Sequence, residues 1–249
     1  MKEASKENVD AKVDTFFISS KKGAISMENK EKLKRYIPLV HFIADVIGEN
    51  CEVVLHDVTN PDESIIEVAN GHLSGRKVGG HLTDLALKIL QEKKYIDKHF
   101  ISNYKGNSKN NQTFRSSSYF IKDEHNNIIG MLCVNIDISN MIKARDWLDS
   151  MIMSNTSMNE DVEKSHPNLE LDLSENLEEN LDSLLSSLIT GVLLEYEVSP
   201  ERMSPDEKME VIKKLNDKGV FLLKGGVSEV AKHLKASEAT IYRYLNKVK

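Results

Sequence analysis

The chain has 249 residues, 40% of them hydrophobic, and a formal net charge of −6. Such a length predicts two modest domains, and the apolar content is enough to build a core. No run of residues has the length and apolarity of a membrane span, and the N-terminus lacks the apolar core of a signal peptide. We therefore expect a cytoplasmic protein with no membrane partner.

The two cysteines, Cys51 and Cys133, are too few for a disulfide framework. Each lies in an apolar, strand-like run, where a cysteine usually serves as a small buried hydrophobe. A shared metal or redox site is the alternative, but neither cysteine belongs to a ligand-spaced motif such as CxxC. We expect no metal at these residues.

The charge is distributed unevenly along the chain. Residues 1–159 carry 21 basic and 21 acidic side chains, residues 160–207 carry 2 and 14, and residues 208–249 carry 10 and 4. A basic end after an acidic middle is typical of a small DNA-binding module joined to a neutral domain, because attraction to phosphates is local. A solvated lysine-rich tail would have the same composition.

The first two-thirds of the chain begins with a polar segment, residues 1–28, that we interpret as a flexible extension. Apolar residues then recur at helical spacing from Asn29 to Gly48, with Pro38 either starting or kinking the main helix. The β-rich runs 51–58 and 64–70 are separated by a turn composition and predict a hairpin.

The next segment, GHLSGRKVGG at 71–80, has four glycines and predicts a loop leading to a helix over 81–93. A second hairpin is predicted from runs 116–123 and 127–138, followed by a helix over 141–153. Together these elements predict an α+β fold, a PAS-like antiparallel sheet with flanking helices.

Residues 29–153 therefore form the predicted sensor domain, and residues 154–173, rich in Ser, Asn, Asp and Glu, form the predicted linker. Residues 174–249 are predicted to be an all-α domain. Its first amphipathic helix is indicated by leucines at spacings of four, three and four residues, namely Leu177, Leu181, Leu184 and Leu188.

A further helix is predicted to begin at Ser204, because Ser204, Pro205 and Glu207 form a capping-box pattern with proline at the first helical position. Lys218 and Gly219 form a typical helix end.

Residues 227–248 fit two short helices crossing at a tight turn, as in a helix-turn-helix. Small Ala231 allows the close crossing, and Ser237 caps the second helix. The buried stripe of that second helix is predicted to consist of Ile241, Tyr244, Leu245 and Val248. One departure is Lys235, which stands where many such turns have glycine.

The opposite face of the second helix carries side chains suited to DNA: guanidinium for guanine, amide for adenine, hydroxyls for phosphates and ammonium for the backbone. We predict double-stranded DNA as the partner of this face. Its predicted contact residues are Ser237, Ala239, Thr240, Tyr242, Arg243, Asn246 and Lys247. An ordinary helical hairpin is the structural alternative.

Several sequence blocks resemble the YheO-like family of bacterial regulators, which join a PAS domain to a C-terminal helix-turn-helix. The blocks are EVVLHDV at 52–58, VANGHLSGRKVGG at 68–80, LTDLAL at 82–87 and ASEATIYRYL at 236–245. The resemblance implies a transcription factor whose PAS domain receives a small-molecule or protein signal. It leaves the signal and the operator open.

The first blocks also gather polar side chains that could bind an effector. If they converge, an arginine could clamp a carboxylate while Asp57 receives an amine, as an amino-acid-like ligand requires. The candidate set is His56, Asp57, Asn70, His72, Ser74, Arg76 and Arg115. The alternative is that Asp57 and Asn70 cap turns and that Arg76 pairs with a surface carboxylate. No cofactor is predicted, because lone histidines such as His72 are usually satisfied locally.

The function predicted is a DNA-binding transcriptional regulator that acts as a homodimer or a higher even oligomer, because paired half-sites multiply the information read by one helix. The first alternative is a PAS-based interaction adaptor without DNA binding. The second is an enzyme using His56 and Asp57, which is disfavoured because adjacent strand residues point to opposite faces.

Overall fold

The computed structural model describes residues 28–108, 112–153, 174–177, 180–196 and 198–248. The predicted extension, except for its last residue, and the predicted linker lie outside these ranges. The strands are β1 Cys51–Asp57, β2 Ile65–Ala69, β3 Phe100–Ser108, β4 Thr113–Lys122, β5 Ile128–Asp137 and β6 Ser174–Leu177. The helices are α1 Ile37–Ile47, α2 Asp84–Gln91, α3 Ser139–Met153, α4 Leu181–Leu193, α5 Pro205–Asp217, α6 Gly226–His233 and α7 Glu238–Val248.

The six strands form one sheet in the order β2-β1-β5-β4-β3-β6. Both predicted hairpins, β1–β2 and β4–β5, are present, and every neighbouring pair is antiparallel except β3–β6. The α+β prediction is therefore confirmed, with a sheet that is mixed at one edge.

Two strands differ from the sequence prediction. Strand β3 was not predicted, because a bulge between Ile101 and Tyr104, with Asn103 at a φ of 60°, interrupts its period-two pattern. Leu177 was predicted to lie on a helix and lies on β6 instead, so that prediction was wrong. Strand β6 is only four residues long, and it is a strand because it pairs with β3. The spacing of apolar residues within so short a segment does not predict that pairing.

One face of the sheet, here called the outer face, packs against α1. Pro38 lies in the first turn of this helix and starts it, and Gly48 ends it at a φ of 104° with its N–H bonded to Ala44 O. The apolar cluster between α1 and the sheet includes Val40, Ala44, Val53, Leu55 and Leu132.

The opposite face, here called the inner face, is covered by α2, whose first turn is capped by the Thr83 hydroxyl accepting from Ala86 N. The apolar cluster on the inner face extends beyond the sheet domain. It runs from Val54, Phe120 and Met131 of the sheet through Leu87 of α2 into helices α4–α7. The sheet domain and the helical domain therefore share one core.

Two contacts fasten this domain boundary. Gly219 ends α5 at a φ of 75°, as predicted, and its Cα lies so close to α2 that a Cβ would stand 3.0 Å from Leu87 O. The carboxylate of Asp62 accepts a hydrogen bond from Lys224 N at 2.8 Å. None of the helices in the described ranges is long and apolar enough to cross a bilayer.

A buried ion pair attaches the glycine-rich loop to the inner face. Arg76 donates to Glu52, and their side chains are 2% and 0% exposed. Ser74 also donates to Glu52, while Asn135 Nδ2 donates to Glu52 Oε2 at 3.1 Å. The carboxylate thus holds the loop and the centre of the sheet together, in contrast to the surface pairing that was the alternative for Arg76.

Gly219→Ala should destabilise the protein by about 1–2 kcal/mol, because it places a side chain at a left-handed φ and against Leu87. The matched control is Gly191→Ala in α4, where an added Cβ meets no atom within 4 Å. That control should stabilise by up to about 1 kcal/mol, because alanine favours a helix interior. Urea unfolding followed by circular dichroism measures both, and equal effects would contradict the close domain contact.

Arg76→Met should destabilise by about 3–5 kcal/mol, because it leaves the Glu52 carboxylate buried without its cation. Adding Glu52→Gln should recover most of that loss in the double variant, since the charge is then gone. The control, Arg115→Met at an exposed position, should change stability by no more than about 0.5 kcal/mol. Independent, additive effects of the two interior changes in a double-mutant cycle would refute the pairing.

Candidate DNA-binding surface and sensor interior

Helices α6 and α7 form the predicted helix-turn-helix, with the turn at residues 234–237. Lys235 adopts a φ of 50°, so a lysine occupies the left-handed position that glycine usually fills. The Ser237 hydroxyl accepts from Thr240 N at 3.2 Å and caps α7 as predicted. Preceding these helices, Ser204 and Glu207 form the predicted capping box of α5.

Helix α7 has one buried and one exposed side. Ile241, Tyr244 and Leu245 are buried, as predicted, against α5 and α6. The side chains predicted to contact DNA lie together on the other side, where Thr240 is half-buried and the rest are exposed: Ser237, Ala239, Tyr242, Arg243, Asn246 and Lys247. The helix therefore offers a polar, cationic face that a major groove could accept.

Local contacts orient this face. The Arg243 guanidinium carbon lies 5.3 Å from the centroid of the Tyr244 ring. This cation–π contact helps to orient the Arg243 side chain. Glu238, the acidic residue of the first turn, accepts a hydrogen bond from Ser228 of α6. The carboxylate of Glu238 is therefore hydrogen-bonded to α6.

The predicted effector residues do not form one site. His56 lies on the inner face and bonds Ser64 Oγ at 2.9 Å, and burial together with the Arg76 charge lowers its pKa to about 3, so it is neutral. Asp57 points to the other side and accepts from the Thr59 N–H at 2.9 Å and from its hydroxyl at 2.5 Å. It caps a turn.

The remaining members of that set are also dispersed. Asn70 has a left-handed φ of 55° and donates to Cys51 O at 2.8 Å, so it stabilises a turn. His72 and Arg115 are exposed. Of the seven residues, only His56, Ser74 and Arg76 face the interior of the sensor domain.

The interior holds a polar cluster that the sequence did not reveal as a unit. Strand register aligns four side chains in one row across the inner face, from Glu52 of β1 through Asn135 and Ser116 to Tyr104 of β3. The edge strand β6 adds Glu175, whose Oε1 accepts from the Thr83 hydroxyl at 2.6 Å. We call this set, with Arg76 and His81, the interior polar cluster.

Several polar atoms of the interior polar cluster are buried without a hydrogen-bond partner in the described part of the chain. Such atoms are rare in native proteins, because each costs about 1–3 kcal/mol. They are Arg76 Nη1, His81 Nε2, Ser116 Oγ, Asn135 Oδ1 and Glu175 Oε2. Burial raises the pKa of Glu175, despite the opposing effects of the Arg76 charge and the Thr83 hydrogen bond.

Two sequence signals could have pointed to this cluster. Asn135 stands in the nearly continuous apolar strand β5, and Glu52 stands beside the apolar run of β1. A polar residue on a buried strand usually needs a hydrogen-bond or charge partner, so Asn135 and Glu52 each predict a partner elsewhere in the fold. The partners themselves come from distant segments of the chain, so the local sequence around Asn135 and Glu52 could not identify them.

The two cysteines lie on opposite faces of the sheet. Cys51 faces α1, whereas Cys133 lies beside Val54 on the inner face. Both are buried, and burial raises the pKa of Cys51 to about 11 and that of Cys133 to about 12. They cannot share a metal or form a disulfide across the sheet.

Comparison with known proteins identifies both domains. The YheO-like PAS domain family matches residues 27–153, and an HTH domain family matches residues 184–246. The first match covers strands β1–β5 and helices α1–α3. The second runs from within α4 into α7.

Full-length relatives share this organisation. YheO of Escherichia coli K12, an uncharacterized protein, is 29% identical over 87% of this chain and 85% of its own. An uncharacterized protein of Haemophilus influenzae is 27% identical, covering 89% of this chain and 93% of its own. The transcriptional regulator DauR of Pseudomonas aeruginosa is 26% identical, covering 90% of this chain and 98% of its own.

Solved structures are more distant. A Vibrio cholera VqmA–ligand–DNA complex overlaps with a TM-score of 0.25 at 10% identity, covering 78% of this chain and 81% of that one. An overlap of that quality adds nothing to the family match. The sequence families are decisive, and the chain belongs to the YheO-like PAS family, with a C-terminal helix-turn-helix domain.

Proposed function

We propose that this protein is a cytoplasmic transcriptional regulator that binds operator DNA through α7 and receives a signal in its PAS domain. The observation that carries the proposal is the exposed face of α7, where Arg243, Asn246 and Tyr242 point away from the core. Each of these three groups can bond a base edge or a phosphate, and all three lie on one side of the helix. No catalytic role is proposed.

Each side chain on this face has a role that its chemistry suggests. Arg243 can bond guanine bidentately, and Asn246 can bond adenine. Lys247 and the hydroxyls of Ser237, Thr240 and Tyr242 suit phosphates, which set the register of the helix on the duplex. Ala239 is small enough for close approach to a base edge.

The sensory role is supported by the connection between the domains. The inner face of the sheet, α2 and helices α4–α7 share one apolar core, so a change in the sensor interior has a packed route to the DNA-binding helices. Strand β6 also connects the two domains through the backbone, because it belongs to the sheet and α4 begins a few residues later in the chain.

We further propose that the active form is a homodimer assembled through α1 and α3. Within 139–152 of α3 no side chain is buried, and the exposed side chains include large apolar ones. Trp147 is 62% exposed and Met141 is 65% exposed. On α1, Leu39, Phe42 and Val46 form an exposed stripe at helical spacing. A second copy is the natural cover, because a regulator of this type reads two half-sites.

Arg243→Ala should weaken binding to operator DNA by about 1–3 kcal/mol, which is about 5- to 150-fold, because it removes the strongest base-reading group. The operator is first found by footprinting genomic fragments, and fluorescence anisotropy then measures affinity. Arg115→Ala, which removes an exposed arginine of the sensor sheet, is the control and should bind normally. A parent protein that protects no sequence, yet captures a protein partner through α7, would favour the adaptor function.

Trp147→Glu should shift the protein from dimer to monomer at micromolar concentration, because it places a charge in the apolar α3 surface. Sedimentation velocity measures the change. The matched control is Leu194→Glu, at a residue that is 80% exposed and lies just after α4. If both variants sediment like the parent protein, α3 is not the interface.

A further inference from the structure

Building on the sensory role proposed above, we propose that the interior polar cluster is the effector site and that it binds a small amine-bearing cation with an oxygen acceptor at its other end. The ammonium group is placed against Glu175, and the oxygen against Arg76. The site differs from the set predicted from sequence, of which only Arg76 has an unpartnered atom in it.

The charge balance of the interior favours a cation. Glu52 is neutralised by Arg76, with both side chains fully or almost fully buried. Glu175 is 2% exposed and forms no ion pair with any basic side chain in the described part of the chain, and Asp84 on the adjoining helix adds a second negative charge. A buried carboxylate without a counterion is costly, so a cationic ligand would stabilise this arrangement.

The unpartnered atoms define the hydrogen bonds that the ligand must make. Glu175 Oε2 can only accept, and an ammonium group can donate to it. Asn135 Oδ1, nearer the Arg76 end of the row, is a second acceptor. His81 Nδ1 donates to Leu82 O at 2.7 Å, and its Nε2 has no hydrogen-bond partner among the described residues. Arg76 Nη1 can only donate and therefore requires an oxygen.

The groups follow one another across the inner face of the sheet, from Arg76 and Glu52 at β1 to Glu175 at β6. Asn135 and Ser116 are direct partners on neighbouring strands, about 5 Å apart. Tyr104 is the next residue in the row, and Glu175 pairs with Gly106, two residues further along β3 on the same face. The ligand would thus lie along the row, with β6 at its cationic end.

The interior polar cluster meets a surface pocket at His81. This residue is 5% exposed and lines a pocket of about 510 Å³ between the glycine-rich loop and the start of α4. The other described residues that line it are Asp62, Gly79, Gly80, Asn180 and Leu181. The pocket adjoins Asp62, whose carboxylate fastens the helical domain through Lys224 N.

The position of Glu175 indicates how binding would reach the DNA-binding domain. Its neighbour Asn176 is held by Asp84, which accepts from Asn176 N at 2.9 Å and from Nδ2 at 2.8 Å. Strand β6 is therefore attached to the first turn of α2 on one side and leads into α4 on the other. A ligand that pairs with Glu175 acts on this connection.

The test is differential scanning fluorimetry of the full-length protein with small amines, each paired with an analogue that lacks the charge. Suitable probe pairs are ethanolamine with ethylene glycol, 4-amino-1-butanol with 1,4-butanediol, and 5-aminopentanoate with pentanoate. At least one amine should raise Tm by ~5 °C near saturation, whereas its partner should not. No stabilisation by any amine, or equal stabilisation by both members of every pair, would overturn the assignment.

Glu175→Gln should weaken binding of the active amine at least about 10-fold, because the isosteric amide keeps the Thr83 contact but loses the charge. Ser116→Ala, which removes one unpartnered oxygen with little change in volume, should weaken it to a smaller extent. The control Glu49→Gln, at an exposed carboxylate of the same domain, should bind like the parent protein. Parent-like affinity in Glu175→Gln would overturn the proposal.

The stability of Glu175→Gln without ligand separates a binding role from a purely structural one. Because its folded-state pKa is raised, Glu175 makes the protein less stable as pH rises from the ordinary glutamate pKa through the raised value. The groups facing it are Arg76, Thr83, Asp84 and Tyr104. The variant should lack this loss and have an unliganded Tm at pH 7 at least equal to that of the parent. A lower Tm would indicate a structural carboxylate and contradict the proposal.

Footprinting of the parent protein keeps the two proposals distinguishable. Sequence-specific protection without amine binding would leave the regulator function in place and remove only the effector assignment. Amine binding without protection of any fragment would do the reverse.

Discussion

The buried pairing of Glu52 with Arg76 is the constraint on which the sensor domain depends. A carboxylate in the centre of a sheet face must find a cation, and here the cation comes from a glycine-rich loop 24 residues away in the chain. The pair draws that loop across the inner face and carries Ser74 with it. Asn135 adds a further donor, so one carboxylate joins β1, β5 and the loop.

The same face holds a second carboxylate whose environment is different. Glu175 accepts from the Thr83 hydroxyl but has an oxygen with no partner, and it lies near Asp84 rather than beside a cation of its own. One buried charge is balanced and the other is not. This asymmetry distinguishes a structural pair from a group poised to bind, since desolvation is costly only while the counterion is missing.

The shared core explains why the two domains act as one body. Leu87 of α2 packs against Gly219 at the end of α5, while the apolar cluster of the inner face continues into α4–α7. The sensor interior and the exposed face of α7 therefore lie at opposite ends of one packed unit. Core packing resists small continuous deformation, so a change at one end tends to be transmitted as a shift of whole helices.

Local patterns in the sequence determined most elements and the buried and exposed faces of α7. The capping box at Ser204, the cap at Ser237 and the 3.6-residue spacing of Ile241 and Leu245 are short-range features, so the faces of α7 could be predicted correctly. Tertiary structure alone decided that β3 and β6 are strands and that polar residues from six segments meet on the inner face. Strand pairing and charge pairing at long range depend on which segments become neighbours, and no local spacing encodes that information.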